Sequence, residues 1–301
     1  MLLDKYFSVA LILSCIVGLF LPGLEKIPSP FIAVLLSLII YLSCFHININ
    51  EFYKLKTTSI LIFYILRFLL LPIFLFYCAG LIIPSDSVAL FLFSLMPAGI
   101  SSSAFASIFN GNVVLSFALL IVSTLLTPFV IPLLLKQFTH SVIEIKTMDI
   151  FFTLSLTIFI PIIAFMLTRN VKLLKSVISE KGKSISIVVT LFLTAVVIGQ
   201  QRLAILENPV SMLGQLFLSS IAYLIFYVFG WIVSPGKTLK ERITFSISSG
   251  ANNNALGLSI STLYFPQSVS IFLVLSAIPW TLSFIPFKWW VDFMRNKHIK
   301  D

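Results

Sequence analysis

Polar positions are sparse along this chain, and their placement defines its elements. Apolar runs follow one another over roughly 6–20, 31–46, 58–80, 87–109, 113–135, 148–168, 185–201, 211–233, 241–265 and 268–291. Each is close to the length that crosses a hydrocarbon core of about 30 Å as a helix. Short segments rich in proline, glycine or asparagine separate many of them: Leu21-Pro22-Gly23, Ile83-Pro84, Asn110-Gly111-Asn112, Asn208-Pro209, Ser234-Pro235-Gly236 and Phe265-Pro266. The pattern predicts an all-α integral membrane protein with ten transmembrane helices.

Composition supports this reading. Only 10% of the 301 residues are charged and 59% are hydrophobic, whereas a soluble domain carries about 25% charged residues. The first apolar run lacks a small-residue cleavage site and reads as a span, not a removed signal peptide. Cys15, Cys44 and Cys78 are scattered through apolar runs with no metal or redox spacing and read as small core residues. The net charge of +9 does not imply a nucleic-acid partner, because the basic residues sit mainly between spans. Lys5, Lys54, Lys56, the Arg169–Lys183 loop, Lys237, Lys240, Arg242, Lys288, Arg295, Lys297 and Lys300 all fall on one side. The other side holds Lys26, Lys136, Lys146 and Arg202. The positive-inside bias places both termini in the cytoplasm and the chain in the inner (plasma) membrane, in contact with lipid.

Ten spans divide into five and five, 1–140 and 141–301. Because five is odd, the second set is inserted upside down relative to the first, which is the inverted repeat common in secondary transporters. Two polar triplets occupy matching places, Ser101-Ser102-Ser103-Ala104 in the fourth span and Asn252-Asn253-Asn254-Ala255 in the ninth. Helix breakers precede each: Pro97 and Gly99 before the first, Gly250 before the second. Three asparagines in an apolar region need partners, since every polar group in lipid must be satisfied internally. The spacing predicts that helices four and nine are broken and cross near the bilayer midplane. Their exposed N–H groups then attract anions, and their carbonyl ends and side-chain oxygens hold a cation.

Chemistry elsewhere is thin. Every acidic residue falls in a loop or at a span end, so Arg67 is the clear charge inside a span. A mid-span arginine costs about 2.5–3.5 kcal/mol and should face a cavity or a partner. No Ser-His-Asp grouping, His-Glu-x-x-His motif or buried carboxylate pair appears, which argues against an enzyme, and no cofactor is implied. The remaining candidates for proton coupling are His46, at the end of the second span, and the substrate itself.

At these residues the chain resembles the bile acid:sodium symporter family. The resemblance is carried by Pro97-Ala98-Gly99-Ile100-Ser101-Ser102-Ser103, by Gly111-Asn112-Val113-Val114-Leu115-Ser116, by Ser123-Thr124-Leu125-Leu126-Thr127-Pro128 and by Gly250-Ala251-Asn252-Asn253. It implies a core domain of spans three to five and eight to ten, and a panel domain of spans one, two, six and seven. It further implies transport of an organic anion by alternating access, with substrate or ion bound around Arg67, Ser101, Ser102, Ser103, Ser116, Ser248, Asn252, Asn253 and Asn254. Carried over residue by residue, the family's sodium ligands fall on Ser102 and Ser116, which match, and on Asn252, which stands for a glutamine. Others are replaced: Ser103 stands for an asparagine, Leu120 for a threonine, Ser248 for a glutamate and Arg67 for a glutamine. These departures open two roles for Arg67, as a stand-in for a sodium ion or as a partner of an anionic substrate. The alternatives are a sodium-coupled symporter with a changed ion site and a channel.

Overall fold

A computed structural model describes residues 7–45, 55, 57–99, 101–139, 146–207, 209–235 and 238–298. His46 and Ile100 lie outside the described residues. The described chain is helical, without a strand; among the described residues, β-type pairing is limited to an isolated antiparallel bridge between Ala98 and Asn252. Helices occupy the apolar stretches in order: α1 (Phe7–Phe20), α2 (Ser29–Cys44), α3 (Thr57–Ile82), α4 (Ser87–Leu95), α5 (Ser101–Ile108), α6 (Val113–Thr139), α7 (Thr147–Thr168), α8 (Lys172–Glu207), α9 (Pro209–Ile232), α10 (Leu239–Gly250), α11 (Asn254–Tyr264), α12 (Gln267–Leu275) and α13 (Ala277–His298). Among the described residues, six helical stretches are long and apolar enough to cross a membrane.

Three features depart from the expected pattern. The basic stretch 169–183, expected to be a loop, is helical from Lys172 onward. Lysine and glutamate are good helix formers, and nothing in Lys172–Glu207 has the backbone of proline to stop the helix. At 36 residues and 1.5 Å per residue, α8 is about 54 Å long, well beyond a ~30 Å hydrocarbon core. The tenth apolar stretch is divided at Ser276 into α12 and α13. Pro279 has no N–H to offer the carbonyl four residues back, which ends one helix and starts the next. In α3, the turn Ile65–Leu70 is wound as a π-helix, with the Leu71 N–H reaching the Leu66 carbonyl. Pro72 again explains this, because it cannot donate to Phe68 and its ring crowds that carbonyl.

The chain separates into two compact units. The first comprises residues 1–47, 128–212 and 255–274. Within it α8 packs along α1 and α2, and α2 along α7. Small residues permit the closest approach. A Cβ on Gly18 would lie 2.5 Å from the Ala195 carbonyl oxygen, and one on Gly199 would lie 2.6 Å from Leu24 Cβ. Side chains tie the same helices: Ser37 Oγ donates to Thr157 O at 3.1 Å, Tyr41 OH meets Thr168 Oγ1 at 2.8 Å, and Gln200 Nε2 donates to Ile27 O at 2.7 Å. Gly18→Val should therefore destabilise the protein by about 1–3 kcal/mol through overpacking, read as a lower thermal unfolding midpoint of the purified chain.

The second unit comprises residues 48–127, 213–254 and 275–301. Its α4 is buried along its whole length, and α10 from Ile243 to Gly250. The outer end of α10 is fixed by a capping box, in which Thr238 and Glu241 satisfy each other's backbone N–H groups. Its inner end runs against α9, where a Cβ on Gly230 would meet Phe245 O at 2.6 Å. Two Ser side chains of α10 reach α9 carbonyls: Ser246 Oγ donates to Tyr227 O and Ser249 Oγ to Phe226 O, each at 2.6 Å. Thus α4 and α10 are short rods driven into the interior of this unit, and both stop there.

Candidate ligand and ion site at the paired helix breaks

Helix α4 ends at Leu95 and α5 begins at Ser101; α10 ends at Gly250 and α11 begins at Asn254. The polar backbone freed by these interruptions can be followed group by group. Gly99 N donates to Ala251 O at 2.6 Å and Asn253 N to Pro97 O at 2.8 Å. The two breaks thus bond each other reciprocally through the Ala98–Asn252 bridge. Ala98 N is taken by Ser123 Oγ of α6 at 3.1 Å. Glycine at position 99 is a steric requirement, since a Cβ there would sit 2.8 Å from Asn252 O and 3.1 Å from Ala251 O.

Ser94 O and Ser249 O are among the carbonyls this arrangement leaves without their helical donors. Ser94 O would ordinarily accept from residue 98 and Ser249 O from residue 253, but both N–H groups point elsewhere. Arg67 supplies the missing donors. Its Nη1 donates to Ser94 O at 2.9 Å and its Nη2 to Ser249 O at 2.8 Å. Nε bonds Ser249 O at 3.0 Å and Ser249 Oγ at 2.8 Å, and Nη2 also reaches Asn252 Oδ1 at 2.9 Å. The guanidinium carbon lies 3.9 Å from the centre of the Phe226 ring and 4.9 Å from that of Phe68. Arg67 is 0% exposed. Its charge therefore rests on the negative ends of two helices and on two aromatic faces, without a carboxylate among these contacts. The π-turn of α3 carries it there.

The predicted site residues divide between this centre and its neighbours. Asn252 belongs to the Arg67 centre, and its Nδ2 donates to Phe93 O at 3.0 Å, the carbonyl whose helical partner would be the N–H that Pro97 lacks. Ser102, Ser116 and Ser248 form a buried chain of hydroxyls, Ser116 Oγ lying 3.2 Å from Ser102 Oγ and 3.3 Å from Ser248 Oγ. Ser103 is buried and Ser101 half-buried in the first turn of α5. Asn253 contributes its backbone to the pairing of the breaks. Asn254 Nδ2 donates to the buried Tyr223 hydroxyl at 2.8 Å. Sequence reasoning misses Ser94, Ser249, Phe226 and Tyr223. The faint signal for the first two is that each sits within one turn of a breaker, Pro97 or Gly250.

A sodium ion does not fit beside Arg67 in this arrangement. The carbonyl and amide oxygens that a hard cation would seek already accept from the guanidinium. The hydroxyl chain offers neutral oxygens bonded to one another, and Leu120 brings a buried hydrocarbon side chain near it in sequence. Among the described residues no group of three or more His, Cys, Asp or Glu could hold a metal ion.

Six apolar helical stretches of bilayer-crossing length among the described residues, together with two pairs of shorter helices interrupted around buried polar groups, mark a multi-pass membrane protein of the transporter class. The Sodium Bile acid symporter family matches residues 33–208, more than half of the chain, and the chain belongs to that family. Over 281 residues it is 23% identical to YocS, an uncharacterized sodium-dependent transporter of Bacillus subtilis (strain 168), a match covering 91% of this chain and 84% of that protein.

Proposed function

We propose that the chain is a secondary carrier of a small organic anion, working by alternating access in the inner membrane with both termini in the cytoplasm. In this reading its spans form two inverted five-helix repeats, 1–140 and 141–301, with helices four and nine broken and crossing, and with core and panel domains. The observation that carries the proposal is the reciprocal pairing of the two breaks, Gly99 N to Ala251 O and Asn253 N to Pro97 O. Beyond the breaks, α5 opens at Ser101 and α11 at Asn254, so the first-turn N–H groups of both helices are directed toward the break region. Helix N-termini favour anions, and the serine and asparagine side chains add donors. A second reading, sodium-coupled symport through a changed ion site, is favoured by the sodium-dependent relative.

The test begins with a thermal-shift screen of the purified protein against bile acids, pantoate-like acids, keto acids and sulfonates, each in sodium and in choline chloride. A stabilising anion is then radiolabelled for uptake into proteoliposomes. Saturable uptake with counterflow is the expected result. Single-channel currents would replace the carrier with a channel, and an absolute sodium requirement would favour the second reading.

A further inference from the structure

We propose that Arg67 is a resident cation, holding permanently the place at the α4 and α10 carbonyl ends where an ion-dependent protein would need a bound monovalent cation. The paired breaks then assemble without sodium. This rests on the carrier reading of the same residues and names its ion requirement.

Three observations lead there. The first is the backbone accounting. The breaks orphan Ser94 O and Ser249 O, and all three guanidinium nitrogens are spent on these carbonyls, on Ser249 Oγ and on Asn252 Oδ1. A planar fork suits several convergent oxygens in a way a lysine ammonium does not. The second is charge. The Arg67 partners are all neutral, so the centre already carries one positive charge set against two helix C-terminal ends. A further cation at that centre would be repelled, and the Ser102–Ser116–Ser248 hydroxyls supply no negative charge to hold it. The third is placement. The π-turn Ile65–Leu70 breaks the regular winding of α3 at Arg67, as π-turns often do at functional positions. That turn, set by Pro72, delivers the guanidinium to the two carbonyl ends.

The experiment compares thermal unfolding midpoints of the full-length purified protein in sodium, potassium and choline chloride at equal ionic strength, with 22Na+ equilibrium binding as a second measurement. Wild type should unfold at the same temperature in all three salts and show no saturable 22Na+ binding. Arg67→Gln should unfold at a lower temperature, and sodium chloride should restore part of the loss where choline chloride does not. Arg67→Lys should fall between them, because the charge is kept and the fork is lost.

A sodium-specific rise in the wild-type midpoint, or saturable 22Na+ binding, overturns the proposal even if Arg67→Gln does not fold. An Arg67→Gln protein depressed equally in every salt overturns it too, leaving Arg67 as a hydrogen-bonding staple. Counterflow separates this inference from the carrier reading. Sodium-independent counterflow supports both, and sodium-requiring counterflow keeps the carrier and removes the resident cation. Salt-insensitive stability without counterflow of any stabilising anion supports the cation assignment and counts against the carrier.

Discussion

Asn252→Leu should destabilise the protein by about 1.5–3 kcal/mol, the range for losing a hydrogen bond to a charged group, although leucine has the same branched shape and heavy-atom count. Asn252 is 3% exposed, and its amide ties Arg67 to the end of α4: Oδ1 accepts from Arg67 and Nδ2 donates to Phe93 O. Leucine fills the space and satisfies neither. One guanidinium N–H loses its acceptor, and Phe93 O loses the amide donor while keeping the Met96 N–H at 3.4 Å, so the charged contact dominates the loss. Asn252→Asp separates the two contributions. It keeps the shape and offers Arg67 a carboxylate while withdrawing only the amide donor from Phe93 O, so it should lose less than leucine does. Unfolding in lipid bicelles, followed by the fraction of folded protein against denaturant, reads both variants. Equal losses for Leu and Asp would show that the contact with Arg67 contributes little.

Gly99→Val should abolish transport at matched expression. Its added carbons meet the Asn252 and Ala251 carbonyl oxygens, which are backbone atoms and cannot rotate away. The clash falls on the same short segment in which Gly99 N donates to Ala251 O, so relieving it pulls the two breaks apart. Overpacking of this kind costs about 1–3 kcal/mol in a core that can adjust, and a backbone-to-backbone contact adjusts least. Gly80→Ala is the control, because nothing lies within 4 Å of a Cβ there and alanine is the better helix former. Counterflow by Gly99→Val at the wild-type rate would remove the paired breaks from the mechanism.

Proline and glycine explain most of what the sequence discloses about this site. Pro97 cannot donate to Phe93 O, and Gly99 and Gly250 stand where two backbones, or a backbone and the Tyr227 ring, come closer than a Cβ allows. These are local properties of single residues, legible in one chain. Helix placement is legible for a similar reason, because apolar runs of bilayer length have few other structures open to them. The identity of the Arg67 partners is not local. Ser249 and Asn252 lie in a different part of the chain from Arg67, and nothing in the spacing of those residues announces that they meet. The π-turn is equally hidden, since Pro72 marks a disturbance but does not say whether the helix kinks, ends or widens. The helical start of α8 was obscured by charge, because lysine-rich segments suit both a topogenic loop and an exposed helix.

The absence of a carboxylate opposite Arg67 has an energetic corollary. An ion-coupled carrier draws on a standing gradient of the ion it carries, but a guanidinium bound covalently to the protein never leaves and so delivers no work. An anion moved without any other coupled ion answers to its own concentration ratio and to voltage. Across a membrane held 100 mV negative inside, that voltage is worth about 2.3 kcal/mol per charge, or a roughly fifty-fold preference of a monovalent anion for the outer face. For a carrier built this way, the voltage contribution alone favours outward movement of the anion, set against whatever concentration ratio the anion itself holds.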